Sequence, residues 1–319
     1  MRRRKILALA GATLLITASA CGGGESEKSG GLQKITVSSM PIVDVAPLHL
    51  GVDQGYFEDH GLEVEIKNNT GGAQAIPGVV SGDYDFAFGN ITSVIVARGE
   101  DLPMKVVSNG VTTTGEQGND FGGVVVPEGS DITEPAQLAG KKIAVNNLKN
   151  IGDTTVRNSV RKDGGDPKDI EFVEMPFPDM PAAVENGEVD AAWVVEPFLT
   201  TALSNGATEV ASNFVDAHPS LSIASYFTTE KVIAEDPELV EAFTAAMHES
   251  LTYADANPEE VRRILTTYTE MDEELIEEIR LPAFPPEADP ESAQAIADLM
   301  VEDGLVDSEP DIDALFHQK

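Results

Sequence analysis

The side chains best placed to do chemistry are polar groups that fall just after strand-like segments. Behind the first such segment come Ser38, Ser39, Met40, Pro41 and Asp44. Hydroxyls and backbone N–H groups in a loop that opens a helix make a site for an anionic or polar group. The same loop also reads as an N-cap, with Asp44 or Ser39 in that role. Asn90 and Thr92 follow a later strand, where Asn90 either caps the next helix or turns its amide into a cleft. The stretch NNLKNIGDTT (146–155) carries Asn146, Asn147, Lys149, Asn150, Gly152 and Asp153, with Asp153 the expected N-cap. PFPDM (176–180) sets Phe177 and Asp179 at another strand end. Glu196 closes DAAWVV: it either accepts hydrogen bonds from an amine or ring N–H, caps the next helix, or pairs with a base. Tyr226, and at an outward crossing Asp120 and Phe121, are candidate cleft walls, whereas Trp193 and Phe198 read as packing.

Composition removes other chemistries. The five histidines (His49, His60, His218, His248, His317) have no metal-ligand spacing, and the one cysteine, Cys21, supplies neither disulfide nor thiolate site. No GxSxG elbow, P-loop or GxGxxG occurs, so no nucleophile, cofactor or metal is implied. Cys21 follows a basic cluster (Arg2, Arg3, Arg4, Lys5) and a 15-residue apolar run ending Ala18, Ser19, Ala20. That run is shorter than the ~20 residues of a spanning helix. It reads as an export signal over residues 1–20 whose end resembles a bacterial lipobox, making Cys21 the lipidated first residue and residues 21–32 a flexible Gly/Ser/Glu tether. The chain would then work outside the cell membrane, held by lipid alone. Processing leaves 17 basic against 55 acidic residues, a formal charge of −38. Such a surface repels nucleic acid and anionic lipid.

Strand-like and helix-like segments alternate from Gln33 onward. Strands are expected at 34–39, 62–67, 85–89 and 104–109, with helices at 46–54, 73–81 and 91–98. An irregular Thr/Gly-rich passage (112–123) precedes a second alternation. Its strands are 124–126, 142–146, 170–174, 190–195 and 208–211; its helices are 134–138, 152–162, 180–186 and 198–204. After an irregular 216–220 and Tyr226 the pattern turns helical, at 237–255, 258–269, 272–279 and 290–303. This is the pattern of an α/β chain in two lobes, residues 33–120 plus 222–319 and residues 121–221, joined by two crossings, with a ligand cleft between them.

Particular strings then carry a family resemblance. APLHLGVDQGYFEDHGLEVEI (46–66), GDYDFAFGN (82–90), ITEPAQLAGKKIAV (132–145) and AAVENGEVDAAWVVEPF (182–198) stand in order along the chain. Together they resemble the extracytoplasmic solute-binding proteins of the nitrate/sulfonate/taurine type, a family that includes binders of the thiamine pyrimidine precursor. The resemblance implies a type II periplasmic-binding-protein fold and a monomer that closes on a small molecule and delivers it to an ABC permease. It places Asn90 and Glu196 in the cleft, and has the 146–155 loop, with Gly152, offer helix-terminal N–H groups to the ligand. Two ligand chemistries stay open. A sulfonate or nitrate wants donors, as the Asn/Lys loop supplies; a pyrimidine or amine wants carboxylates and rings, as Asp44, Asp179, Glu196, Phe177 and Tyr226 supply. The rivals are a surface lipoprotein without a transport role and an enzyme like the fungal pyrimidine synthase of related architecture. The latter's Cys-rich motif is missing here.

Overall fold

The computed structural model describes residues 28–29, 31–271 and 273–318. Cys21 and the export signal expected over residues 1–20 lie outside the described residues, as does most of the expected tether. Its far end is β1 (Lys28–Ser29), which pairs antiparallel with β2 (Leu32–Ser39), so these residues are hydrogen-bonded rather than free tether.

The first sheet collects β2, β3 (Leu62–Asn68), β4 (Phe86–Asn90), β5 (Met104–Thr112) and β11 (Ser222–Thr229), in the order β1-β2-β4-β11-β5 with β3 on β2. The second runs β10-β6-β9-β7-β8: β6 (Gly122–Val126), β7 (Lys142–Val145), β8 (Glu171–Glu174), β9 (Ala191–Val195) and β10 (Thr208–Ala211). Helices cover both faces, so the central strands read as unbroken apolar runs; every residue of β6 and β9 is buried. The chain passes between the sheets twice, over residues 113–121 and 212–221.

The helices along the first two thirds of the chain are α1 (Ala46–Gln54), α2 (Tyr56–Asp59), α3 (Gly72–Ser81), α4 (Ile91–Gly99), α5 (Ile151–Lys162), α6 (Met180–Glu185), α7 (Phe198–Ser204) and α8 (Asn213–Ala217). The C-terminal third adds α9 (Glu230–Glu235), α10 (Pro237–Ala256), α11 (Pro258–Leu265), α12 (Glu273–Ile276) and α13 (Pro290–Glu302).

Several expectations need correction. β11 falls partly where a helical run was expected to begin. All eight of its residues are buried, including Ser222, Ser225, Thr228 and Thr229, so no polar-out alternation marks it. β5 continues to Thr112, into the Thr/Gly-rich passage, because it pairs with β11 along its length. α8 takes up the start of the second irregular passage. The 258–269 helix stops at Leu265, and 134–138 is a single 3-10 turn at Pro135–Leu138.

The core of the first half is an aromatic cluster. Phe243 of α10 stacks on Phe86 at 3.8 Å and 5°, and meets Phe57 and Tyr226 at 5.8 Å each. Phe243 is fully buried. Phe243→Ala is expected to remove about 3–5 kcal/mol of stability, read as a lowered midpoint in urea unfolding; a loss within error would mean the cluster carries little of the core.

Candidate functional site

Strand ends from both sheets meet between them. The loop after β2 (Met40 to Val45) and Asn90 come from the first sheet, and Asn146, Trp193, Val195 and the 176–177 loop from the second. At the centre lies a chamber of about 10 Å³, bordered by Met40, Asp44, Asn90, Asn146, Phe177 and Trp193 among others. That is roughly one water-sized sphere. An outer chamber of about 290 Å³ adjoins it, sharing Met40, Ile42 and Phe177.

Asn150 fastens one side of this meeting to the other. As N-cap of α5 its Oδ1 accepts from the Ile151 N–H (2.8 Å). The same oxygen accepts from Asn90 Nδ2 (2.9 Å) and Thr92 Oγ1 (2.8 Å) across the interface, while Asn150 Nδ2 donates to Ser93 Oγ (2.8 Å). All four residues are buried. Asp153 is thus not the N-cap. It is the partner inside a capping box, accepting from the N–H groups of Asn150 (2.6 Å) and Lys149 (2.7 Å). Burial pushes its carboxyl up to about 6 against these hydrogen bonds. Beside it, Asn147 Nδ2 reaches Gln74 Oε1 across the interface at 3.1 Å.

Asp44 is the unsatisfied member. Neither it nor Ser39 caps: the turn at Val43–Val45 begins at Ile42, whose side chain cannot. Asp44 is buried, its Oδ1 has no hydrogen-bond partner, and burial raises its pKa to about 7, with the nearby Asp120 charge adding to the rise. Orphaned polar atoms gather in the same region: Asn146 Oδ1 and Trp193 Nε1 at the chamber wall, Ser39 Oγ on β2, and Tyr226 OH. Burial and then the charge of Asp44 hold Tyr226 well above the usual phenol range. The loop bearing Asp44 is braced from behind. Tyr268 OH donates to the Ile42 carbonyl (3.0 Å), and the Tyr268 ring stacks on His49 at 3.8 Å. Burial lowers His49 to about 4, so this stack is neutral.

Glu196 takes the capping alternative. Its carboxylate accepts from Thr200 N–H (3.0 Å), Thr200 Oγ1 (2.7 Å) and Arg280 N–H (3.1 Å), which ties the first turn of α7 to the C-terminal segment. Burial raises its pKa, opposed by those bonds. Its carbonyl accepts from Val43 N–H (3.1 Å), a backbone-to-backbone link across the interface. Asp120 is likewise internal, accepting from Thr113 Oγ1 (2.6 Å) and the N–H groups of Thr114 and Phe121. Asp179 is exposed and borders neither chamber. Lys149 borders a separate surface groove with Arg98 and Asp307. Gly152 is there for packing: a Cβ on it would lie 2.5 Å from the Trp193 ring. Gly152→Ala is therefore expected to cost about 1–3 kcal/mol, read as a lower melting temperature; an unchanged melt would show that the ring shifts freely.

Residue type alone missed Trp193 as a wall residue, and it missed Arg280 and Tyr268 altogether. Trp193 sits in an apolar strand, where packing is the default reading, and only its unpaired Nε1 marks it. Arg280 and Tyr268 lie in the helical third, far along the chain from what they touch.

A model of the NMT1/THI5 like family matches residues 42–261. The formylaminopyrimidine-binding protein of Halalkalibacterium halodurans is 25% identical over 238 residues, 73% of this chain and 69% of that protein. Two solved structures share the fold. The alkanesulfonate-binding protein SsuA of Xanthomonas axonopodis pv. citri has a TM-score of 0.75 at 15% identity, covering 90% of this chain and 98% of that one. The nitrate-binding protein NrtA of Synechocystis PCC 6803 has a TM-score of 0.73 at 16% identity, covering 89% and 84%. The architecture is that of the type II periplasmic binding proteins.

Proposed function

The chain belongs to the NMT1/THI5-like family, and from that premise we propose that it is the substrate-binding component of an ABC importer. It takes a small solute into the cleft between its two sheets and hands it to a membrane permease. The lobes are residues 33–120 plus 222–319 and residues 121–221, and the protein works as an extracytoplasmic monomer tethered through lipidated Cys21.

The solute is a nitrogen-bearing planar ring or amine rather than a sulfonate or nitrate. One observation carries this: the wall of the inner chamber holds a carboxyl with a free oxygen, Asp44, and, among the described residues, no Lys, Arg or His. An anion would face Asp44 with no cation to offset it, whereas an N–H group at the end of a ring or amine finds acceptors in Asp44 and Asn146. The relative that binds formylaminopyrimidine supports the same choice. Asn90, Thr92, Asn147 and Asn150 act by holding the lobes together and Asp153 by fixing the loop that carries Asn150, with Ser39, Met40 and Tyr226 shaping the walls.

The test is a thermal-shift panel of aminopyrimidines and simple amines against taurine, alkylsulfonates and nitrate. Solute at a hundred times its Kd should add about 2.7 kcal/mol. Stabilisation by the nitrogen compounds alone is expected; stabilisation by a sulfonate or nitrate, with the nitrogen compounds flat, would overturn the assignment.

A further inference from the structure

The outer chamber has walls unlike the rest of this molecule. Among the described residues none of its lining side chains is charged, in a chain with 55 acidic and 21 basic residues. Met40, Pro41 and Ile42 come from one sheet's loop; Pro176, Phe177 and Phe198 come from the other half. Phe177 stands between the chambers. It meets Trp193 of the inner wall edge-on at 5.3 Å and lies parallel to Phe198 of the outer wall at 6.1 Å and 10°. The outer space is about 290 Å³, against about 10 Å³ inside. The inner chamber thus admits a polar group at most, and the volume available for the body of a solute lies outside it.

We propose that the outer chamber is a second subsite, which takes an uncharged apolar substituent of the same solute whose nitrogen-bearing end faces Asp44. This rests on the reading above and extends it: the solute is amphipathic, a polar nitrogenous head with an aliphatic or aromatic tail. Met40, Ile42 and Phe177 line both chambers, so the two are adjacent, and one molecule reaching past these side chains would occupy both. Rings and prolines hold the tail at little cost in side-chain order.

The probes are 4-aminopyrimidine and its 5-methyl, 5-propyl and 5-pentyl derivatives, titrated calorimetrically into the full-length protein. Burial of each methylene should tighten binding about fourfold, so the pentyl compound is expected at least ~10-fold tighter than the methyl one. That ratio should collapse toward unity in Phe198→Ala and recover in Phe198→Leu. Thr70→Glu, which sets a charge at an exposed rim position and leaves the core alone, should also lower it. If the parent binds and affinity is flat or falls with chain length, the subsite is wrong and the head assignment stands. Binding of the long-chain compounds without the parent would keep the subsite and sink the head assignment. No binding by any member overturns both.

Discussion

Asn150→Ala is expected to part the two halves of the molecule. In the closed arrangement the substitution leaves Asn90 Nδ2, Thr92 Oγ1 and Ser93 Oγ buried without the partners they now have. Each unsatisfied buried group costs about 1–3 kcal/mol, and separation of the lobes lets water satisfy all three. The cost therefore falls on the closed form alone and shifts the population toward the open one. Loss of the α5 cap adds about 1 kcal/mol to global destabilisation. Trp193 is the only tryptophan in the chain and borders the inner chamber, so its emission reports the change directly. A red shift, a larger radius of gyration by small-angle scattering and solute affinity down roughly 100-fold are expected, the last following from about 3 kcal/mol of closure energy lost. Asn150→Asp keeps the capping oxygen and loses the donor to Ser93, so it should fall between. Emission and radius both unchanged in Asn150→Ala would show that the asparagine does not hold the lobes.

The order of strands and helices was legible because most segments here obey one of two periodicities, and because turn residues punctuate them. β11 was not, since a strand buried on both faces with serine and threonine inside carries neither alternation nor an apolar run. The site was legible as a set of loops and much less so as roles. Asp44, Asn90, Asn146 and Phe177 do meet at one chamber, as strand-end position implies. Which of them is free to bind depends on partners distant in sequence. Glu196 is occupied by Arg280, 84 residues on, and Asn150 by Asn90, 60 residues back. Local spacing gave Asp153 and Asp44 as caps, and in both cases a neighbouring turn decided otherwise. A carboxylate at a strand end looks the same in sequence whether its lone pairs are satisfied or not, and that difference separates Glu196 from Asp44.

Asp44→Asn tests the centre of the site through two independent readouts. The first is the melting curve without added solute. Because the folded-state pKa is raised from 3.8 to about 7, the folded protein holds a proton on Asp44 that the unfolded chain has released over this window. Stability attributable to Asp44 is thus fully present below about pH 4 and is lost as pH rises toward 7. The wild-type melting temperature should fall between pH 5 and 8. The variant should flatten part of that fall, keeping the portion due to Asp120, Asp153 and Glu196, whose pKa values burial also raises. The second readout is binding. A solute that donates N–H to an ionised Asp44 loses a charge-assisted bond and meets an amide instead, so affinity should drop about 30- to 100-fold. With a solute of constant charge, wild-type affinity should weaken roughly tenfold per pH unit below 7 and the variant's should not. The two effects have opposite sign in pH: ionising Asp44 destabilises the protein on its own and favours it with solute bound. A variant that binds as tightly as wild type at pH 8 would remove Asp44 from the site. One that binds weakly at every pH but melts with an unaltered pH slope would keep the contact and show that the carboxyl is already ionised in the folded protein at pH 5.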